Sequence, residues 1–129
     1  MQRSSDKGER DFKWLWWLAA LLWAGLIFWL SSSPDAQGGG WLLSLVPYGD
    51  KLAHAAAFGL LSVFVYLASG NFFLALALAS LYGVADEWHQ SRVPGRSRDG
   101  LDWLADTLGA LFMLLAVRYL KRRRAPDSV

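Results

Sequence analysis

The sequence predicts an all-α membrane protein, a single bundle of four transmembrane helices with both termini in the cytoplasm. Hydrophobic residues make up 54% of the 129 residues and include eight tryptophans, more than a soluble domain of this length has interior to hold. Four apolar segments follow one another, and none has the clean polar stripe of a surface helix. Basic residues gather near both ends of the chain, which is typical of cytoplasmic segments.

The first helix is expected over residues 14–30, a stretch without any charge. As an α-helix this stretch is about 25 Å long, close to the minimum for crossing the hydrocarbon core. A cleaved signal peptide is the alternative, because a basic lead precedes the stretch and the small residues 31–33 follow it. The apolar run is long for a signal peptide, however, and Pro34 follows the expected cleavage point.

Three more helices are expected over residues 52–68, 72–90 and 101–120, which complete a membrane domain over residues 14–120. The short turn at residues 69–71 predicts an antiparallel hairpin between the first two of these helices. The helix expected over residues 72–90 has a short apolar part, about 21 Å long. Its polar end is therefore expected to reach the outer boundary of the bilayer. The flanking stretches, 1–13 and 121–129, are expected to be solvated cytoplasmic tails.

The orientation follows from the lysines and arginines. Four spans place both termini on one side, which holds nine of these residues, and the other side holds four. The four are Lys51, Arg92, Arg96 and Arg98. The positive-inside rule therefore predicts cytoplasmic termini and an inner-membrane location.

Ionisable residues from three predicted helices meet at the outer end of the bundle. Helical spacing puts Asp50 and His54 on one face of the second helix, and Asp99, Asp102 and Asp106 on one face of the fourth. Charged groups are costly when they face lipid, so we predict that they point inward to one shared polar site. The predicted site residues are Asp50, Lys51, His54, Asp86, Glu87, His89, Gln90, Arg92, Arg96, Asp102 and Asp106.

The loop before the fourth helix carries arginines. Pro94 followed by Gly95 suits the central positions of a type II turn, which would hold Arg92 and Arg96 near the same opening. Guanidinium groups bind phosphates and carboxylates through two parallel hydrogen bonds, which lysine cannot do. The alternative is a structural one, in which these arginines clamp the loop to the helix ends through ion pairs.

Other chemistries find little support in the sequence. There is no cysteine, and the nucleophile-elbow, zinc-protease and phosphate-loop motifs are missing. Some side chains at the outer end have suitable ligand types for a divalent metal, but no familiar metal-binding spacing joins them. These side chains are His54, Asp86, Glu87, His89 and Asp102. We predict no metal, no cofactor and no nucleic-acid partner.

Two stretches resemble the VanZ-like family of small bacterial membrane proteins: DKLAHAAAFGLL (50–61) and ADEWHQSRVPGRSRDGLDWLADTLGALF (85–112). The family pattern is Asp-Lys-x-x-His-x-x-x-Phe, then Asp-Glu-x-x-Gln, Pro-Gly-Arg, and an Asp followed by Asn or Asp and a Gly. The matching residues are Asp50, Lys51, His54, Phe58, Asp86, Glu87, Gln90, Pro94, Gly95, Arg96, Asp102 and Gly109. Asp106 stands where many members have asparagine. The family is named for a teicoplanin-resistance determinant, and the resemblance implies no defined activity.

Three functional hypotheses remain open. In the first, the site recognises an anionic, phosphate-bearing lipid or cell-wall precursor of the bacterial envelope, with Arg92 and Arg96 on the anion and His54 as the titrating group. In the second, the protein is a phosphoryl or acyl transferase or hydrolase. There His54 is the base or nucleophile, Asp50 orients it and Glu87 is the acid. In the third, the charges are a clamp within a partner-binding membrane subunit.

Overall fold

A computed structural model describes residues 8, 12–33, 45–95 and 99–125 of the chain. These residues form four α-helices, and no strand occurs among them. Helix α1 is Lys13–Ser32, α2 is Gly49–Ser69, α3 is Phe72–Gln90 and α4 is Gly100–Arg124. The predicted all-α class is confirmed.

Three of the helices, α1, α2 and α4, are long and apolar enough to cross a membrane. Helix α3 is 19 residues long and is not among them, because its last turn is polar and its apolar part is shorter than the hydrocarbon core. Many large apolar side chains of α1 are exposed, among them Leu21 at 70% and Leu22 at 68%, as expected of a lipid-facing surface. The chain is therefore a membrane protein, and complete crossing by α3 stays a prediction.

Local sequence explains the helix boundaries between α2 and α4. Gly70 ends α2 in the left-handed conformation, with φ of 70°, which a glycine adopts without steric cost. The Asn71 side chain accepts a hydrogen bond from the Leu74 N–H and so caps α3. Asp99 caps α4 in the same way, since its carboxylate accepts from the Leu101 N–H. Side-chain oxygens at this position satisfy N–H groups that have no partner within the helix.

Several helix ends lie beyond the expected limits, among them the start of α2 at Gly49, three residues before the expected residue 52. Helix α1 continues to Ser32, and α4 continues through residues 121–124, which the sequence analysis assigned to a solvated tail. The basic side chains in the last turn of α4 interact favourably with the negative end of the helix dipole. Lys121 also lies over the Tyr66 ring, 4.9 Å from its centroid. These contacts favour continued helix over a free tail.

Helix α1 packs against both α2 and α3. The Trp23 indole N–H donates to the Ala57 carbonyl at 2.8 Å, and the Tyr82 hydroxyl donates to the Ala24 carbonyl at 2.6 Å. Ile27 of α1 joins the buried core together with side chains of the other three helices. Removal of α1, as in the signal-peptide alternative, would expose these buried faces of α2 and α3.

Helices α2 and α4 are in backbone contact. A Cβ added to Gly109 of α4 would lie 2.5 Å from the Ala55 Cα, and one added to Gly59 of α2 would lie 3.1 Å from the Gly109 carbonyl oxygen. Small residues allow such close approach between transmembrane helices. The contact sets Lys51 and His54 of α2 beside the first turns of α4.

The two ends of the bundle differ in chemistry. At one end, α1 and α3 finish while α2 and α4 begin, and ionisable side chains of the last three helices meet there. We call this the polar end and define it by Asp50, Lys51, His54, Asp86, Glu87, Gln90, Asp99, Asp102 and Asp106. At the opposite end, Arg118 lies over the Phe72 ring and Arg123 over the Tyr119 ring.

We expect Gly109→Ala to destabilise the bundle by about 1–3 kcal/mol, the usual cost of forcing extra volume into a tight contact. The physical reason is that the new methyl group would overlap the backbone of Ala55. Thermal unfolding in detergent, followed by circular dichroism, measures the effect. Gly25→Ala is the matched control, because nothing lies within 4 Å of a Cβ there; equal destabilisation by both variants would contradict the proposed contact.

Candidate functional site

Lys51 links the beginning of α2 to the beginning of α4. Its ammonium Nζ lies 3.1 Å from Asp50, 2.7 Å from Asp99 and 2.5 Å from Asp102. The Asp102 side chain is 12% exposed and the Asp50 side chain is 53% exposed. Asp102 is thus the partner most dependent on Lys51, because a shielded carboxylate without a counter-charge is strongly destabilising.

The hydrogen bond from Lys51 also affects the ionisation of Asp99, which lies just before α4. It lowers the pKa of the Asp99 carboxyl below its ordinary value, and the Leu101 N–H acts in the same direction. Asp99 therefore stays ionised as the pH falls through the usual carboxyl range. The stabilisation from this pair is complete above the ordinary pKa of a free aspartate and is lost only as the pH falls through the lowered value.

His54 pairs with Asp106, one turn deeper than Lys51. The His54 Nδ1 lies 2.8 Å from Asp106 Oδ1, and Asp106 is fully buried. With Asp106 ionised, Nδ1 donates this hydrogen bond. The other ring nitrogen, Nε2, lies 3.9 Å from Asp102 Oδ2 and so faces the outer part of the polar end. The ring of Phe58 lies parallel to the imidazole, with their centroids 6.2 Å apart.

The expected orientation of His54 by Asp50 is wrong. Asp50 and His54 share a face of α2, as the spacing predicted, but the Asp50 carboxylate is bonded to Lys51 nearer the helix start. Asp106 of α4 orients the imidazole instead. A neighbouring helix supplies the partner because the backbone contact at Gly109 brings the two helices within side-chain reach.

Glu87 connects α3 to this network. Its Oε2 accepts a hydrogen bond from the Asp99 N–H at 3.2 Å. The other oxygen, Oε1, is buried, and so is Asp106 Oδ2; neither has a hydrogen-bond partner within the described part of the chain. Asp106 Oδ2 lies close to Gly83 of α3, since a Cβ there would be only 3.0 Å from it. Buried carboxylate oxygens without donors are costly.

Asp86 and Gln90 form a second group between α3 and α1. The Gln90 amide donates to Asp86 Oδ2 at 3.0 Å and to the Ser31 hydroxyl at 3.3 Å. Asp86 lies near enough to His54 and Asp106 to interact with them electrostatically. This group therefore borders the His54–Asp106 pair and extends the polar end to α1.

His89 lies apart from the other predicted site residues. Its Nε2 is 2.8 Å from the Ser32 hydroxyl, and its ring stacks on Phe28 with centroids 4.6 Å apart. Because the Ser32 hydroxyl donates to the Phe28 carbonyl, the imidazole donates to Ser32. The pairing joins α1 to α3 and does not activate the serine as a nucleophile.

The metal-site alternative lacks the geometry it needs. His89 faces α1, while His54 and Asp102 face the α2–α4 side of the polar end. Over the described ranges, no group of three or more His, Cys, Asp or Glu side chains is arranged to hold a metal ion.

Of the two predicted arginines, Arg92 lies at the edge of the polar end, just beyond the end of α3. The Arg92 guanidinium lies 3.7 Å from the centroid of the Trp88 ring and makes no ion pair with a described carboxylate. Gly95 has φ of 83°, the conformation that the predicted turn requires. Arg96 lies outside the described residues, so its role stays a prediction.

Sequence reasoning overlooked several residues of this arrangement. Asp99 shares the acidic stripe of α4, so its spacing alone could have marked it as a partner of Lys51. No helical spacing with charged residues marked the other overlooked positions, which are Ser31, Ser32 and Gly83. Their contacts with Gln90, His89 and Asp106 depend on how α1, α3 and α4 pack.

Comparison with known protein families gives a match to the family described as VanZ/LLP1 over residues 16–121. The matched segment begins within α1 and ends within α4, so it includes every residue that defines the polar end. No curated protein and no solved structure matches the chain. The family match therefore agrees with the resemblance seen in the sequence and extends it to the first helix.

We expect Lys51→Met to destabilise the protein by roughly 2–4 kcal/mol, somewhat less than breaking a fully buried ion pair. Adding Asp102→Asn should recover part of this loss, with a coupling energy of about 1–3 kcal/mol in a double-mutant cycle. Thermal unfolding in detergent provides the measurement. Asp50→Asn is the control, since this exposed partner should contribute about 1 kcal/mol or less. Strict additivity of the Lys51 and Asp102 changes would show that the two residues act independently.

Proposed function

Since the chain belongs to the VanZ/LLP1 family, we propose that it is a multi-pass inner-membrane protein of the bacterial cell envelope that recognises an anionic, phosphate-bearing lipid or cell-wall precursor. The observation that carries this proposal is a buried network of carboxylates at one end of the bundle with a solvent-accessible guanidinium beside it. Recognition of a cell-wall precursor would connect the protein with glycopeptide resistance. The teicoplanin susceptibility of a strain that expresses it tests that link.

The distribution of charge decides where an anion would bind. The Lys51 ammonium is occupied by three carboxylates, so it offers no free positive charge to a phosphate. Arg92 is exposed and stacks on Trp88. Tryptophan side chains favour the headgroup level of a membrane, and guanidinium groups bind phosphate through paired hydrogen bonds. We therefore assign the anion to Arg92, with Arg96 directly after Gly95 as its second ligand.

A transferase or hydrolase is the second candidate, and the orientation of His54 favours it. Nδ1 is held by the buried carboxylate of Asp106, while Nε2 faces outward. A carboxylate bonded to Nδ1 stabilises the imidazolium that forms when Nε2 takes a proton, as in a general base. In this candidate Asp106 replaces Asp50 as the orienting residue, Glu87 is the acid, and Arg96 stabilises developing negative charge.

The topology within this proposal has both termini in the cytoplasm and the polar end outside. A reporter fused after Val129 should show cytoplasmic activity, and one inserted at Gly95 should show external activity, because nine basic residues flank one side and four the other. Paired alkaline phosphatase and fluorescent-protein fusions provide the measurement. An external signal from both positions would contradict four spans and an outward-facing site.

Lysine should not replace arginine at the proposed anion site. We expect Arg92→Lys and Arg96→Lys each to lose nearly as much retained anionic lipid as the alanine variants, because lysine keeps the charge but loses the planar pair of donors. Native mass spectrometry of the protein released from nanodiscs measures the retained lipid. Arg124→Lys, on the exposed end of α4, is the control. Full retention by both site lysine variants would show that any positive charge suffices.

His54→Gln separates binding from catalysis. An enzyme should keep its ligand and lose turnover by at least about 100-fold, the usual contribution of general-base catalysis. A binding protein should show no turnover in either form. Binding is measured as the lipid that the protein retains, and turnover is measured as the conversion of phospholipid substrates. Both measurements are made on the same preparations of wild type and variant. Conversion that survives in His54→Gln would exclude His54 as the base.

A further inference from the structure

We propose that the headgroup recognised at the polar end carries a protonated primary amine beside its phosphate, and that the amine donates to Glu87 and Asp106. This inference rests on the phosphate recognition proposed above and adds an ammonium group to the ligand, so that the recognised headgroup has an anionic phosphate but no required net negative charge. It starts from two acceptor atoms, Glu87 Oε1 and Asp106 Oδ2. Both are buried without a hydrogen-bond partner among the described residues, and their residues are only 4% and 0% exposed.

The nearby donors of the described helices are already occupied. Lys51 donates to Asp50, Asp99 and Asp102, and His54 uses Nδ1 on the other oxygen of Asp106. The Gln90 amide donates to Asp86 and to α1. A donor for the two remaining oxygens must therefore come from outside this set.

Charge and donor count favour an amine for this role. The described carboxylates of the polar end outnumber its ammonium and imidazole groups, so a cationic donor improves the charge balance. A primary ammonium offers three N–H donors. Lys51 shows that this end of the bundle holds such a group, since its own ammonium lies within 3.1 Å of three carboxylates.

The amine position adjoins the proposed phosphate position. Glu87 and Trp88 are neighbours near the end of α3, and Arg92 lies just beyond the end of that helix over the Trp88 ring. Five residues of helix rise by about 7.5 Å, and the arginine side chain shortens the separation along the axis, because its guanidinium lies over the ring of Trp88, the residue after Glu87. A single headgroup can therefore contact the guanidinium with its phosphate and the carboxylates with its amine.

The wild-type protein tests this in nanodiscs that contain equal amounts of phosphatidylethanolamine, phosphatidylcholine and phosphatidylglycerol. We expect native mass spectrometry to find phosphatidylethanolamine retained about tenfold over phosphatidylcholine, a ratio equivalent to about 1.4 kcal/mol. These two headgroups carry the same charges, but the choline nitrogen has no N–H donor. Retention of phosphatidylcholine or of phosphatidylglycerol at or above the level of phosphatidylethanolamine would overturn the amine assignment.

Two variants test whether Glu87 is responsible for the preference for phosphatidylethanolamine over phosphatidylcholine. Glu87→Gln should bring the ratio of the two zwitterionic lipids close to one while phospholipid is still retained, and Asp127→Asn, in the C-terminal tail, should leave the ratio unchanged. An unchanged ratio in Glu87→Gln would overturn the assignment to this residue. If Glu87→Gln does not fold, the comparison of lipids on the wild-type protein decides alone.

The outcomes also separate this inference from the function on which it rests. Retention of all three phospholipids in equal amounts, lost in Arg92→Ala, would leave phosphate recognition standing and remove the amine. Retention no greater than the bulk composition, and insensitive to Arg92→Ala, would overturn both.

Discussion

The polar end depends on the backbone contact between α2 and α4. At Gly109 the helices are so close that a single methyl group would overlap Ala55. This spacing lets the short side chains of Asp102 and Asp106 reach Lys51 and His54 directly. A wider separation would leave carboxylates and cations to face lipid singly, which is costly, although less so at the boundary of the bilayer than at its centre.

The contact also divides the polar end into layers with different exposure. Lys51 and its carboxylates occupy the outer layer, where Asp50 remains half exposed. The pair of His54 and Asp106 forms an inner layer, in which Asp106 is completely buried. An ionised group in the inner layer is more strongly dependent on its partner, because water cannot screen or replace that partner. Loss of either member of the inner pair is therefore expected to be more costly than loss of the exposed Asp50 carboxylate.

Binding and catalysis require much of the same geometry here. A carboxylate that holds His54 by Nδ1 would suit both proposed functions, because it would fix the imidazole as part of a headgroup-binding surface or support it as a general base. Helix α3 contributes acceptors through Glu87 and an aromatic surface through Trp88, on which Arg92 lies. Helix α1 closes the far side through Ser31. All four helices thus contribute to one end of the molecule.

The helical class, the apolar spans and the family could be predicted from the sequence by itself. Each depends on local composition or on motifs, such as the run that contains Asp50, Lys51 and His54, and these are independent of how the helices pack. The same holds for the sorting of charges to one end, because helix direction alternates along the chain. Spacing also marked Asp102 and Asp106 as residues of one face of α4.

Only the tertiary structure decided which of these residues are partners. The sequence suggested Asp50 as the residue that orients His54, because both lie on one face of α2. Asp106 has that role, since a carboxylate across a close helix contact reaches the ring while Asp50 is bonded to Lys51. Spacing along one helix cannot report the distance to another helix. That distance depends on where small residues such as Gly109 and Gly83 let the backbones approach.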